Sequence, residues 1–146
     1  MPVQTTSGTT VSIGPAPATL DQAGFDAVTV VLLGEVTDFG ELGKTFNIAS
    51  YTPLASRAVV EKKTSYNRMH PSMTVAVDDD DTGQIAAKVA LDDDLDRTIK
   101  VTRQDGAIKY VTAQISAFTT AFATDSFELA TIALLVQSDV VDVAAP

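Results

Sequence analysis

Gly43-Lys44-Thr45 is the tail of the phosphate-binding pattern G-x-x-x-x-G-K-[ST], in which backbone N–H groups close around phosphates at a helix start. The leading glycine of that pattern falls on Asp38, whose carboxylate would repel the anion the loop is meant to hold. Phe46-Asn47-Ile48-Ala49-Ser50-Tyr51-Thr52-Pro53 follows, with a β-branched residue, aromatics and a proline where several turns of helix are required. The tripeptide therefore reads as part of a turn-rich strand segment.

Asp78-Asp79-Asp80-Asp81-Thr82-Gly83 offers calcium chemistry instead. In an EF-hand frame begun at Asp78 the glycine falls correctly on Gly83, but loop position 12 is Val89, where a bidentate Glu is required. A solvated acidic turn that caps a helix is the simpler reading, with weak surface ion binding left open. Asp92, Asp93, Asp94 and Asp96 read the same way. A hydrolytic triad would have to use His70, the only histidine, with Ser65 or Ser72 as nucleophile. Neither serine sits in a nucleophile elbow, and His70-Pro71 reads as an extended turn. Among the 19 Asp and Glu no pair stands out for glycosidase chemistry. These residues assign no catalytic group, no cofactor and no metal.

The absence of cysteine removes disulfides, thiolate zinc sites and thiol catalysis, and a single histidine removes multi-histidine metal sites. The 146 residues suffice for one domain with a respectable core, and 45% hydrophobic with 20% charged residues fits a globular chain. A formal net charge of −9 sets the surface against nucleic acid, whose binding depends on Lys and Arg replacing counterions. With no tryptophan and 6% aromatic residues, stacking platforms for sugars or bases are poorly supplied. Met1 to Gly8 lacks the basic and apolar regions of a secretory signal, and residues 27–33 are too few to span a bilayer. Folding in a cytoplasm, with no membrane partner, is the expectation.

Strand signals dominate the elements that must hold these residues. Residues 1–18, rich in Thr, Ser, Gly and Pro, read as an N-terminal arm; residues 19–138 as a β domain; residues 139–146 as a C-terminal tail. Residues 27–33, 35–42, 57–63 and 73–77 read as strands, with a long loop over 44–57. Asp105-Gly106 between alternating runs predicts a hairpin, and a last strand covers 127–137. One helix is expected over about 82–91, capped by Asp81 with Gln84 as a variant capping box, and carrying Ile85, Val89 and alanines at helical spacing. Seven or eight strands with one short helix make a mainly β sandwich or barrel, the helix packed at its edge.

The stretch FDAVTVVLLGEVTDFGELGKTFNIASYTPLASRAVVEKKTSYN, residues 25–67, resembles the major tail tube proteins of long non-contractile phage tails, a family also found in gene-transfer particles. The matching positions are Gly34-Glu35-Val36, Asp38, Gly40-Glu41, Gly43, Pro53-Leu54, Arg57, Lys62-Lys63, Ser65 and Asn67. An acid-flanked helix, the Gln104-Asp105-Gly106 hairpin, Ile115-Ser116-Ala117-Phe118 and a final strand closing on Ser138-Asp139 also fit. Thr64 stands where the family pattern has glycine, and Thr52 where it has Asn. The resemblance implies hexameric rings stacked into a virion tail tube, made in the host cytoplasm. Its implied partners are a tape-measure protein inside the tube, terminator and distal tail or baseplate proteins at its ends, and DNA passing without specific binding. On this reading Val3, Val11 and Ile13 of the arm and Ile48, Tyr51, Pro53 and Leu54 of the loop make subunit contacts, and Gly34, Gly40 and Gly43 shape the strand between. Deleting residues 2–14 would then leave a folded monomer that fails to polymerise. The alternatives are a tube subunit of a gene-transfer or secretion particle, and a small nucleotide-binding domain or enzyme.

Overall fold

The computed structural model describes residues 6–124 and 126–145; Val3 lies outside them. Among these residues the elements run β1 (Thr10–Pro15), α1 (Gln22–Asp26), β2 (Val31–Leu33), β3 (Val36–Asp38), β4 (Lys44–Tyr51), β5 (Val60–Arg68), β6 (Ser72–Ala76), α2 (Thr82–Leu91), β7 (Arg97–Thr102), β8 (Ile108–Ala121), β9 (Leu129–Val136) and β10 (Val141–Val143). Eight strands form one antiparallel sheet, ordered β2-β1-β7-β8-β9-β6-β3 with β10 added to β8, while β4 and β5 form a separate two-stranded sheet. The end strands β2 and β3 are separated in the chain by only Gly34 and Glu35, so the sheet rolls round until its ends meet at one corner. The fold is mainly β and barrel-like, with ten strands and a second helix where seven or eight strands and one helix were expected.

The Asp105-Gly106 turn starts the central ladder. Gly106 takes φ 92°, the Arg103 N–H donates to Ala107 O at 2.8 Å, and the Asp105 carboxylate accepts from the Ala107 N–H at 3.0 Å. β8 runs for 14 residues because it serves two edges: β7 pairs one edge of its first half, while β9 and then β10 follow along the other. At the junction of β9 and β10, Ser138 Oγ accepts from the Thr112 N–H at 3.0 Å, and the Gln137 N–H donates to Thr112 O at 2.8 Å. The expected C-terminal tail is thus partly a strand.

Alternation sends Val11 and Ile13 of β1, Met73 and Val75 of β6, Ile99 of β7, Val111 of β8, and Ile132 and Leu134 of β9 into one core. Each such side chain contributes about 1.5–3 kcal/mol by leaving water. The opposite face of β8 is covered by α1, where Phe25 stacks on Tyr110 with centroids 5.0 Å apart, and Tyr110 Oη donates to Asp26 Oδ1 at 2.8 Å. Burial first, and then the Asp26 carboxylate, push the Tyr110 phenol up to about 12.

α2 closes the corner. Its Ala87 and Ala90 are buried in the core, and Gly83 packs so close that a Cβ there would lie 2.4 Å from Leu32 O. Asp81 caps the helix by accepting from the Gln84 N–H at 3.0 Å, and the same carboxylate accepts from the Gly34 N–H at 3.1 Å. The buried Gln84 amide donates to Ala76 O at 2.9 Å and Gly34 O at 3.3 Å, and accepts from the Asp78 N–H at 3.0 Å. Gln84 therefore reaches to the strand ends rather than back to the cap residue of a capping box.

Three boundaries are corrected. Residues 10–15 of the expected arm are β1, lying between β2 and β7, with Val11 and Ile13 only 2% exposed. Few apolar anchors suffice there because strands on both sides supply the ladder. Removing residues 2–14 therefore removes a core strand instead of freeing a monomer. The expected loop over 44–57 is largely β4; the segment joining β4 to β5 is 52–59. Of the strand expected over 27–33, only Val31–Leu33 forms.

Candidate assembly surface

β4 and β5 pair along their length but stand apart from the rolled sheet, and their residues are nearly all exposed. Register places Lys44 opposite Arg68, Phe46 opposite Tyr66 and Ile48 opposite Lys63. A bulge between Phe46 and Ile48 is tied by Thr64 Oγ1 donating to Asn47 O at 3.0 Å and Asn47 Nδ2 donating to Ser65 Oγ at 3.1 Å. The cations lie on the rings: Lys44 Nζ is 4.7 Å from the Tyr66 centroid and Lys63 Nζ 4.7 Å from that of Phe46. At the base Asp139 ties the hairpin to the body, 3.0 Å from Arg68 Nε and 3.8 Å from Lys44 Nζ.

The residues singled out as subunit contacts fall into two environments. Ile48 (66% exposed), Tyr51 and the fully exposed Leu54 sit on the hairpin and its tip, with Pro53 half-buried beside them. Val11 and Ile13 are committed to the core of their own domain, so they are corrected as contact residues. Of the glycines expected to shape the strand, Gly40 and Gly43 lie between β3 and β4 and take φ 94° and 141°, conformations that side chains rarely adopt. At Gly34 a Cβ would stand 2.9 Å from Asp81 Oδ1, inside the corner cap.

The residues considered for chemistry are occupied otherwise. Lys44 and Thr45 begin a strand rather than a helix, so no helix N-terminus faces a phosphate there. His70 Nδ1 accepts from the Val136 N–H at 3.0 Å. Asp78 accepts from the Asp80 N–H at 3.0 Å, and Asp79 lies 3.6 Å from Lys88 Nζ. Among the described residues no group of three or more His, Asp or Glu is placed to hold a metal ion. An open cleft of about 440 Å³ at one end of the sheet is lined by Val11, Val36, Phe39, Leu42 and Val101, with Asp38, Arg103 and Lys109 among its polar residues. Among the described residues no helix is long and apolar enough to cross a membrane.

Sequence reasoning gave no contact role to Phe46, Lys63, Tyr66, Arg68 and Asp139, which meet on the hairpin and at its base. The signal that could have found them is charge. Residues 44–68 hold five of the 10 Lys and Arg and one of the 19 Asp and Glu.

A rolled antiparallel sheet, one helix bolted into its corner and one exposed hairpin define a β domain whose second sheet lacks a covering layer. No family model matches the sequence, and no curated protein matches it. Solved structures do match. A chain from the six-fold symmetrised baseplate of the anti-feeding prophage superposes with a TM-score of 0.71 at 9% identity, covering 99% of each chain. A chain of the native gene transfer agent virion gives 0.64 at 14% identity, covering 97% of this chain and 100% of the other. The SPP1 tail tube gives 0.61 at 12% identity, covering 92% of this chain and 75% of the other. The chain therefore has the fold of components of phage tails, gene transfer agents and related injection particles.

Proposed function

We propose that this chain is a structural tail tube subunit that polymerises as stacked hexameric rings and forms an acidic conduit for DNA ejection. The observation that carries the reading is the exposed β4–β5 hairpin on a fold shared with tail components. A lone two-stranded hairpin is marginal in water, and Ile48, Tyr51 and Leu54 lie exposed on it. Packing against neighbouring copies removes both costs, and six copies related by rotation close a ring. A tape-measure protein fills the tube during assembly, and terminator and distal tail or baseplate proteins cover its ends. DNA slides through unbound, because an acidic wall repels phosphate over about 8 Å at physiological salt. The chain acts by assembly rather than catalysis, in the virion tail, after synthesis in the host cytoplasm.

A second reading, the tube of a gene-transfer or injection particle, is favoured by the near-complete mutual cover of the prophage and gene-transfer chains. A tape-measure gene nearby favours a tail. Negative-stain microscopy of the concentrated, purified protein tests the common core of both: rings or tubes are expected, and monomers at every concentration sink it. Saturable heat with Mg-ATP in calorimetry would return Gly43-Lys44-Thr45 to nucleotide binding.

A further inference from the structure

Charge is segregated along this chain. Residues 44–68 carry five Lys and Arg against one acid, a net of +4, which leaves −13 for the remainder of the −9 chain. Register then sorts Lys44, Lys63 and Arg68 onto one face of the hairpin, around the rings of Phe46 and Tyr66. That face already takes one carboxylate at its base, Asp139, while among the described residues Lys63 makes no ion pair.

The complementary surface is the outer face of α2. Ile85 and Val89 are exposed one helical turn apart, with Asp78, Asp79 and Asp80 exposed before the helix and Asp92 and Asp94 exposed after it. Lys88 leaves this face acidic, since it is drawn to Asp79 at 3.6 Å and over the Phe118 ring. The dimensions agree. Ten helical residues span about 15 Å. The Lys44–Arg68 and Ile48–Lys63 cross-strand pairs are separated by about 13 Å along β4.

We propose that the cationic, aromatic face of β4–β5 docks on the outer face of α2 in a second copy of this chain. Carboxylates at the two ends of the helix meet the two ends of the cation row, and Ile85 and Val89 meet Phe46 and Ile48. The inference rests on the tube reading and names the surfaces that tube copies share. Nucleic acid is the poorer occupant, because three cations stand before a body of −13 that repels phosphate.

The test mixes light and isotope-heavy full-length chains under polymerising conditions and adds a water-soluble carbodiimide, which joins amines to carboxylates in contact. Heavy–light links from Lys63 or Lys44 to residues 78–80, 92 or 94 are expected. The critical concentration for tubes should rise about tenfold in Lys63→Glu, stay unchanged in Lys63→Arg, and rise as salt goes from about 0.05 to about 0.5 M. Adding either Asp80→Lys or Asp92→Lys, the one at the helix end that meets Lys63, should recover most of the Lys63→Glu loss, and the other should not. Lys63, Asp80 and Asp92 are all exposed, so melting monitored by circular dichroism should not move. Hairpin links going only to other carboxylates, or Lys63→Glu tubes forming at the wild-type concentration, overturn the docking and leave the tube reading standing. Normal tubes from Lys63→Glu with lost binding to duplex DNA overturn it in favour of nucleic acid. A wild-type chain that forms neither rings nor tubes overturns both.

Discussion

The two hairpins β7–β8 and β4–β5 have similar ladders and opposite surroundings. In β7–β8 the core lies on one face, and on the other the α1 segment covers Tyr110, with Thr98 and Thr112 also buried. In β4–β5 nearly every side chain meets water, and the order visible on its cationic face comes from rings under cations. Such contacts contribute about 0.5–1 kcal/mol each at exposed sites, against about 1.5–3 kcal/mol for each buried aliphatic side chain. Hydrogen-bonded pairing alone does not make a stable layer; coverage does. The body is therefore self-sufficient, whereas the hairpin gains most from a partner.

The widest gap between the two regions should appear on deletion. Removing residues 2–14 takes out β1 and uncovers Leu33 and Ile99, so the cooperative urea transition should vanish. Joining Thr45 to Asn67, which are opposite each other, through Asn-Gly should instead keep the transition and abolish tubes. Equal loss in both variants would erase the distinction. Next, Ile132→Ala should cost about 2–5 kcal/mol in urea unfolding, since Ile132 is fully buried. Ile48→Ala should stay within about 0.5 kcal/mol of wild type while weakening polymerisation.

At the corner, Gln84→Leu removes partners from Gly34 O, Ala76 O and the Asp78 N–H, and should cost about 1–3 kcal/mol. The last effect is one of pH and is absent at neutral pH. The Tyr110 phenol is held at about 12 in the fold against 10.0 ordinarily, so the folded state keeps a proton that the unfolded chain loses. That stabilisation is complete below pH 10 and declines as pH rises towards about 12. Tyr110→Phe should flatten this decline in urea titrations; an unchanged slope would place its origin elsewhere. The hairpin variant lacking residues 46–66 keeps Tyr110 and Asp26 and should show the same decline.

Local chemistry was legible where neighbours in sequence satisfy one another. Asp105-Gly106 needs only a positive φ and a carboxylate two residues from its N–H donor, and Asp81 needs only the N–H of Gln84. Both could be read from short stretches. β1 could not, because Val11 and Ile13 are buried by strands about twenty and ninety residues away in the chain. Nor could the face of β4–β5 be read before register set Phe46 against Tyr66 and Lys63 against Ile48, across a bulge that shifts every later pair. Ile48, Tyr51, Pro53 and Leu54 were picked out from the family resemblance, whereas Lys63 and Arg68 needed the pairing.

By itself, then, the sequence determined a cysteine-free, acidic, strand-rich chain with one capped helix and a glycine turn, all matters of composition and of contacts a few residues apart. Only the tertiary structure decided which strands are covered. It closed the sheet at Gly34, bolted α2 there through Asp81 and Gln84, drew residues 10–15 into the core, and left residues 44–68 outside as a positive arm on a negative body. The physical reason is that burial belongs to pairs of surfaces distant in the chain, and no single stretch carries the address of its partner.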